Sequence, residues 1–146
     1  MNVKDALAQG YLTKISPSND LADNFLKLAE HKLENAHINF NSRTYEDAYV
    51  NAYSSMFNAA RMILAKDGYK ERGHFVLSIY LKEFYSNKIE LKYINELGAL
   101  RAIRHEVIYG KKEDATIREV QETEAESAIK IAEGFLEVVK KLIKQG

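Results

Sequence analysis

Residues 44–66 read TYEDAYVNAYSSMFNAARMILAK. Their apolar and aromatic members are Tyr45, Ala48, Tyr49, Ala52, Tyr53, Met56, Phe57, Ala60, Ile63 and Leu64. They recur at i, i+3, i+4, i+7 and i+8, the period of an α-helix. The stripe is wide enough for a helix covered on more than one side. Such a helix would be about 34 Å long. Thr44 and Asp47 have the spacing of a capping box at its start, and Gly68 fits a left-handed C-cap at its end.

The same period continues on both sides. Upstream, Ser16-Pro17 reads as an N-cap with proline at the first helical position. Leu21, Phe25, Leu28, Ala29, Leu33, Ala36 and Phe40 form one face of the helix that follows, and Asn41-Ser42-Arg43 is a polar break. Val3 to Ile15 admits a short helix ending near Gly10. Downstream, residues 67–73 read as a loop. A shorter helix over 74–85 is expected to turn Phe75, Val76, Ile79, Tyr80 and Phe84 inward. Asn87 and Glu90 fit the cap of a further helix carrying Ile94, Leu97, Leu100, Ile103 and Val107 to Gly110. Thr116 and Glu119 suggest another capping box. The last helix then shows Ile117, Val120, Ala128, Ile131, Phe135, Val138 and Leu142. No segment alternates as a strand does. The pattern predicts an all-α, antiparallel up-and-down bundle of four to five helices.

Composition narrows the function classes. The chain has 146 residues, 46% of them hydrophobic, enough for a core of its own. No cysteine is present, so thiolate metal sites, disulfides and cysteine nucleophiles are excluded. No apolar run is long enough to span a bilayer and no signal peptide is recognisable, so a cytoplasmic protein without a membrane partner is expected. No Gly-rich phosphate loop or nucleophile elbow occurs. His31 and His37 are six residues apart and do not share a helix face, so no metal site is expected there, and no cofactor is implied.

Charge is balanced overall, with 21 basic and 21 acidic residues, but it is unevenly distributed. Between 101 and 112 lie Arg101, Arg104, Lys111 and Lys112 against Glu106 alone; between 113 and 126 lie six acids against Arg118 alone. Two readings fit. The charges complement helix ends, or Arg101 and Arg104, three apart and bordering the inward stripe, form an anion site. Lys70, Arg72 and His74 add basic groups where the next helix opens, whose free N–H groups could face an anion. Tyr45, Tyr49 and Tyr53 read as core and interface residues rather than as base-stacking platforms.

These stretches together resemble a known family. Residues 28–36 (LAEHKLENA) resemble the first helix of HEPN domains, the higher-eukaryote and prokaryote nucleotide-binding family. Residues 44–48 (TYEDA) and 52–60 (AYSSMFNAA) resemble the second. Gly73-His74 resembles the small-residue–His pair that opens the next helix. Residues 104–110 (RHEVIYG) resemble the closing motif Arg-x-x-Ala-Asp-Tyr-Gly. The resemblance spans about Leu21 to Phe135 and implies a single helical domain over 1–146, with its core at about 18–144 and residues 1–15 as an N-terminal extension. It further implies a homodimer, a nucleotide or RNA ligand and, in toxin–antitoxin-type systems, a nucleotidyltransferase partner.

Cleaving members of the family carry Arg-x4–6-His, in which His moves protons and Arg stabilises the phosphate. Here Arg101 and His105 form Arg-x3-His, one residue shorter, and Ile108 stands where the closing motif has Asp. Three readings therefore stay open. The first is a nucleotide- or RNA-binding module using Arg104, Tyr109, Arg72 and His74. The second is a metal-independent ribonuclease toxin using Arg101 and His105. The third is a structural, oligomer-forming protein without catalysis.

Overall fold

The computed structural model describes residues 1–145. Six helices follow one another: α1 (Val3–Ala8), α2 (Asn19–Asn41), α3 (Tyr45–Asp67), α4 (Val76–Tyr85), α5 (Leu91–Tyr109) and α6 (Glu122–Gln145). Two three-residue strands, β1 (Leu12–Lys14) and β2 (Tyr69–Glu71), complete the fold. The helical bundle expected from the periodicity is present.

α2 and α3 form an antiparallel hairpin, with Ser18 N–H donating to the Ala65 carbonyl at 3.0 Å across its open end. The hairpin can close tightly because its contact face is small. Ala22, Ala29 and Ala36 recur every seven residues on α2 and are all buried, and α3 buries small residues of its own at Ala48, Ala52, Ser55 and Ala59. Ser55 Oγ donates to the Ala29 carbonyl at 2.8 Å, satisfying the polar atom at this close approach. α6 runs antiparallel to α2: Glu133 pairs with His37 and Lys140 with Glu30. It therefore runs alongside α3, whose Lys66 Nζ donates to the Ile143 carbonyl at 2.7 Å. α5 closes the bundle with Leu97 and Leu100 inward. Tyr53, Met56, Phe135 and Leu77 lie at the centre of the core.

Several local expectations are corrected. α2 begins at Asn19 with Ser18, not Ser16, as N-cap; Ser18 Oγ accepts from Leu21 N–H. Ile15 is instead held by the Gly68 carbonyl, so Pro17 precedes the helix. The 67–73 loop contains β2, which pairs antiparallel with β1 in the register Leu12↔Glu71, Thr13↔Lys70, Lys14↔Tyr69. The N-terminal segment is thus stitched to the bundle, with Val3, Ala6 and Leu12 in its core. Thr44 is the N-cap of α3 but forms no capping box, because its hydroxyl donates back to the Asn39 carbonyl. The Asn87–Glu90 cap is absent: Glu90 is the N-cap of α5, without a side-chain bond. Leu28 and Phe84, expected inward, are exposed.

The largest change is at α6, which starts at Glu122 and not at the Thr116 box. Asp114 Oδ1 captures both Thr116 N–H and Oγ1, and Glu124 accepts from Gln121 N–H. Residues 116–121 form no regular secondary structure, and Ile117 is 77% exposed.

Candidate phosphate site on the fifth helix

α5 carries four of the residues singled out from the sequence, and the fold sends them to two sides. Arg104 turns towards α3, its Cζ 5.8 Å from the Tyr53 ring centroid. Arg101, His105 and Tyr109 step by four along another face and line a cleft of about 650 Å³ with the 110–115 loop.

On the Arg104 side the aromatic residues of α3 meet the residue just before α4. The Tyr53 hydroxyl and His74 Nδ1 are hydrogen-bonded at 2.8 Å. The His74 ring stacks on Phe57, with centroids 4.2 Å apart and planes 17° from parallel. Phe57 in turn stacks with Tyr53 at 6.0 Å. Arg61, one turn further along α3, lies over Phe25 and Phe57. Its Nε is 2.9 Å from Glu71 Oε1, an ion pair without hydrogen-bond alignment.

The charges here are unequally answered. Arg61 has Glu71. Arg101 and Arg104 have no ion pair among the described residues, and Arg104 Nε is buried without any hydrogen-bond partner. No acid of the 113–126 stretch forms an ion pair with them among the described residues, although Glu113 and Asp114 line the same cleft as Arg101. Glu124 binds Arg118 at 2.8 Å, and Asp114, its carboxyl held below the usual range by Thr116, closes its own turn. Burial, then the nearby Arg104, Arg101 and Arg61, push His74 below its ordinary value. Burial pushes the Tyr53 phenol up to about 12 against the opposing pull of Arg104 and Arg101. Both groups are therefore neutral near pH 7. When His74 Nδ1–H donates to the phenol oxygen, its Nε2 keeps a free lone pair.

The sequence-derived set is thus partly assembled. Arg104 and His74 meet at Tyr53, and the charge of Arg101 reaches both rings from the neighbouring face. His105 and Tyr109 lie in the adjoining cleft, their rings 4.7 Å apart. Arg72 does not join them: its N–H continues the strand ladder to the Tyr11 carbonyl at 2.8 Å, and its residue is exposed. The turn before α4 offers less to an anion than expected, since Val76 and Leu77 N–H bond to the Gly73 and His74 carbonyls. Phe57 and Arg61 were absent from the sequence-derived set. Their signal is the four-residue step Tyr53, Phe57, Arg61 on one helix face, which reads equally well as core. His31 and His37 are separate surface residues, His37 paired with Glu133 at 2.6 Å and His31 beside Asn35 at 3.4 Å. None of the described helices is long and apolar enough to cross a membrane.

The chain also has known relatives. The family model described as HEPN domain matches residues 22–142, which contain all of Tyr53, His74, Arg101, Arg104 and Tyr109. A protein of Methanocaldococcus jannaschii named "Putative toxin MJ0605" is 31% identical over 120 residues, covering 82% of this chain and 87% of that one. With its helical bundle and a family match across most of its length, the chain belongs to the HEPN family.

Proposed function

We propose that the chain binds the phosphate groups of RNA or of a nucleotide between Arg101, Arg104 and His74. One observation carries the reading: Arg104 Nε is buried with no acceptor, beside a second arginine that has no ion pair among the described residues. An unsatisfied buried donor on a charged group costs about 1–3 kcal/mol or more. A phosphate oxygen supplies the missing acceptor, and guanidinium geometry suits it. The M. jannaschii relative's name supports a toxin role; a nucleotidyltransferase partner in a toxin–antitoxin-type system is what the family resemblance adds to the proposal. A homodimer working in the cytoplasm completes the proposal; Ile108 and Ile117 are exposed and free to meet a second copy.

A second reading, metal-independent RNA cleavage, is favoured by one feature. His74 stands beside Arg104 with its ring fixed by Tyr53 and Phe57, supplying a histidine that Arg101–His105 spacing does not. In that reaction His74 Nε2 takes the proton of the 2′-hydroxyl. The 2′-oxygen then bonds to phosphorus, and the 5′-oxygen leaves and takes up a proton, giving a 2′,3′-cyclic phosphate.

A metal-free binding and cleavage assay on single-stranded RNA tests both, comparing the wild type with an Arg101→Ala/Arg104→Ala double variant. Binding that falls with salt and weakens in the variant supports the phosphate site. Cleavage lost in His74→Ala but kept in His105→Ala supports the second reading. Absence of binding by the wild type removes both.

A further inference from the structure

The cleft beside the phosphate site has a feature that phosphate recognition does not use. Tyr109 is 64% exposed at the end of α5, one of the largest exposures of an aromatic ring in the chain. It packs against His105, ring centroids 4.7 Å apart and planes 44° from parallel, and makes no other aromatic contact. Arg101, His105 and Tyr109 follow one another at four-residue steps, about 6 Å apart along the helix. A guanidinium, an imidazole and a phenol ring thus form one row on the wall of a cleft of about 650 Å³.

The opposite wall is fixed by the backbone. Gly110 leaves the helix at φ +87°, and its Cα packs so closely on Ala115 that an added Cβ would lie 2.5 Å from the Ala115 carbonyl oxygen. Lys111 N–H donates to the Thr116 carbonyl and Ala115 N–H to the Lys111 carbonyl, both at 2.8 Å. Asp114 locks the turn through Thr116. The cleft is therefore preorganised, so a ligand does not have to order the loop to enter it.

We infer that this cleft is a nucleobase subsite, in which one base of a single-stranded RNA stacks on Tyr109 while its neighbouring phosphate lies at Arg101 and Arg104. The inference rests on the phosphate reading above and names the ligand class more closely: an oligonucleotide with its bases, not phosphate alone. Every base has a π-face, so the subsite selects for the presence of a base more than for its identity. Lys111 and Lys112 line the cleft together with Glu106, Glu113 and Asp114, so its charge is mixed and the aromatic face of Tyr109, not a second phosphate contact, is what it offers a strand. An aromatic platform beside arginines is also the arrangement by which a polar strand gains affinity that salt does not remove.

The test compares a five-nucleotide oligoadenylate with an abasic ribose-phosphate oligomer of the same length, both bound to the full chain without metal. The adenylate is expected to bind the wild type about tenfold more tightly. Tyr109→Ala brings that ratio to about one, and Tyr109→Phe keeps it, because the ring and not the hydroxyl does the stacking. Arg104→Ala weakens both oligomers in the same proportion. Circular dichroism of the variants confirms their helix content. If the abasic oligomer binds and Arg104→Ala weakens it, but bases add nothing or Tyr109→Ala keeps their advantage, the subsite is overturned and the phosphate site stands. If neither oligomer binds the wild type, both fall, and the exposed ring belongs to a protein contact.

Discussion

The Tyr53 hydroxyl lies 2.8 Å from His74 Nδ1, joining the middle of α3 to the turn that opens α4. The bond fixes the imidazole against Phe57 and leaves Nε2 as the nitrogen available to a ligand. Tyr53 is 1% exposed, so water cannot readily replace this partner. Tyr53→Phe keeps the packing and deletes the bond. It is expected to cost about 1 kcal/mol of stability and to weaken RNA binding more than that loss explains. Urea denaturation and a binding titration on the same variant check both.

His74 also makes stability depend on pH. Its pKa is lower in the folded chain than in the unfolded one, chiefly through burial and then through Arg104 and Arg101. As pH falls below about 6.5, the unfolded chain takes up a proton that the folded chain refuses. Stability is therefore full above that pH and declines below it. His74→Gln should flatten this part of a melting-temperature profile. A bound phosphate favours the imidazolium, so RNA affinity should rise as pH falls through the same range.

Arg104→Met removes a buried donor without a partner while keeping the aliphatic stem. Thermal unfolding should show stability unchanged or raised, because an unsatisfied charged group has been lost. RNA affinity should fall about tenfold or more, and the slope of log affinity against log salt should lessen by about one. A variant that loses stability and binding together would mark Arg104 as a structural residue.

Gly110 occupies φ +87° and ψ 170°, a region that side chains other than glycine rarely enter. Gly110→Ala adds that strain to a clash with the Ala115 backbone. A loss of about 1–3 kcal/mol is expected. Amide hydrogen exchange should localise the disturbance to residues 106–117 and leave the α2–α3 hairpin protected.

The hairpin has its own test. Ala29 is fully buried, with Ser55 bonded to its carbonyl. Ala29→Leu forces apart two helices packed through small residues and should cost about 1–3 kcal/mol or more, read as a lowered denaturation midpoint.

The sequence by itself determined the helices and many of their ends. Tyr45 to Leu64 and Ala128 to Leu142 repeat at the helical period over several turns, a local pattern that packing reinforces. Gly68 and Gly110 stop α3 and α5 because both adopt positive φ. Arg101 and Arg104 were legible as candidates from charge placed where a buried stripe has its edge, and His74 from its place where a helix opens. What tertiary structure alone decided involves partners far apart in the chain. β1 and β2 are three residues each, too short to show alternation, and exist only because residues 12–14 and 69–71 meet. The Thr116 box failed for a local reason instead: Asp114 took the Thr116 N–H and hydroxyl two residues away, and Glu124 capped the helix at Gln121. Tyr53 looked like core and is core by burial, yet its hydroxyl reaches His74, 21 residues away. Helical periodicity records which face is covered. It does not record which polar atom on that face finds a partner, and at Arg104 that difference marks the proposed site.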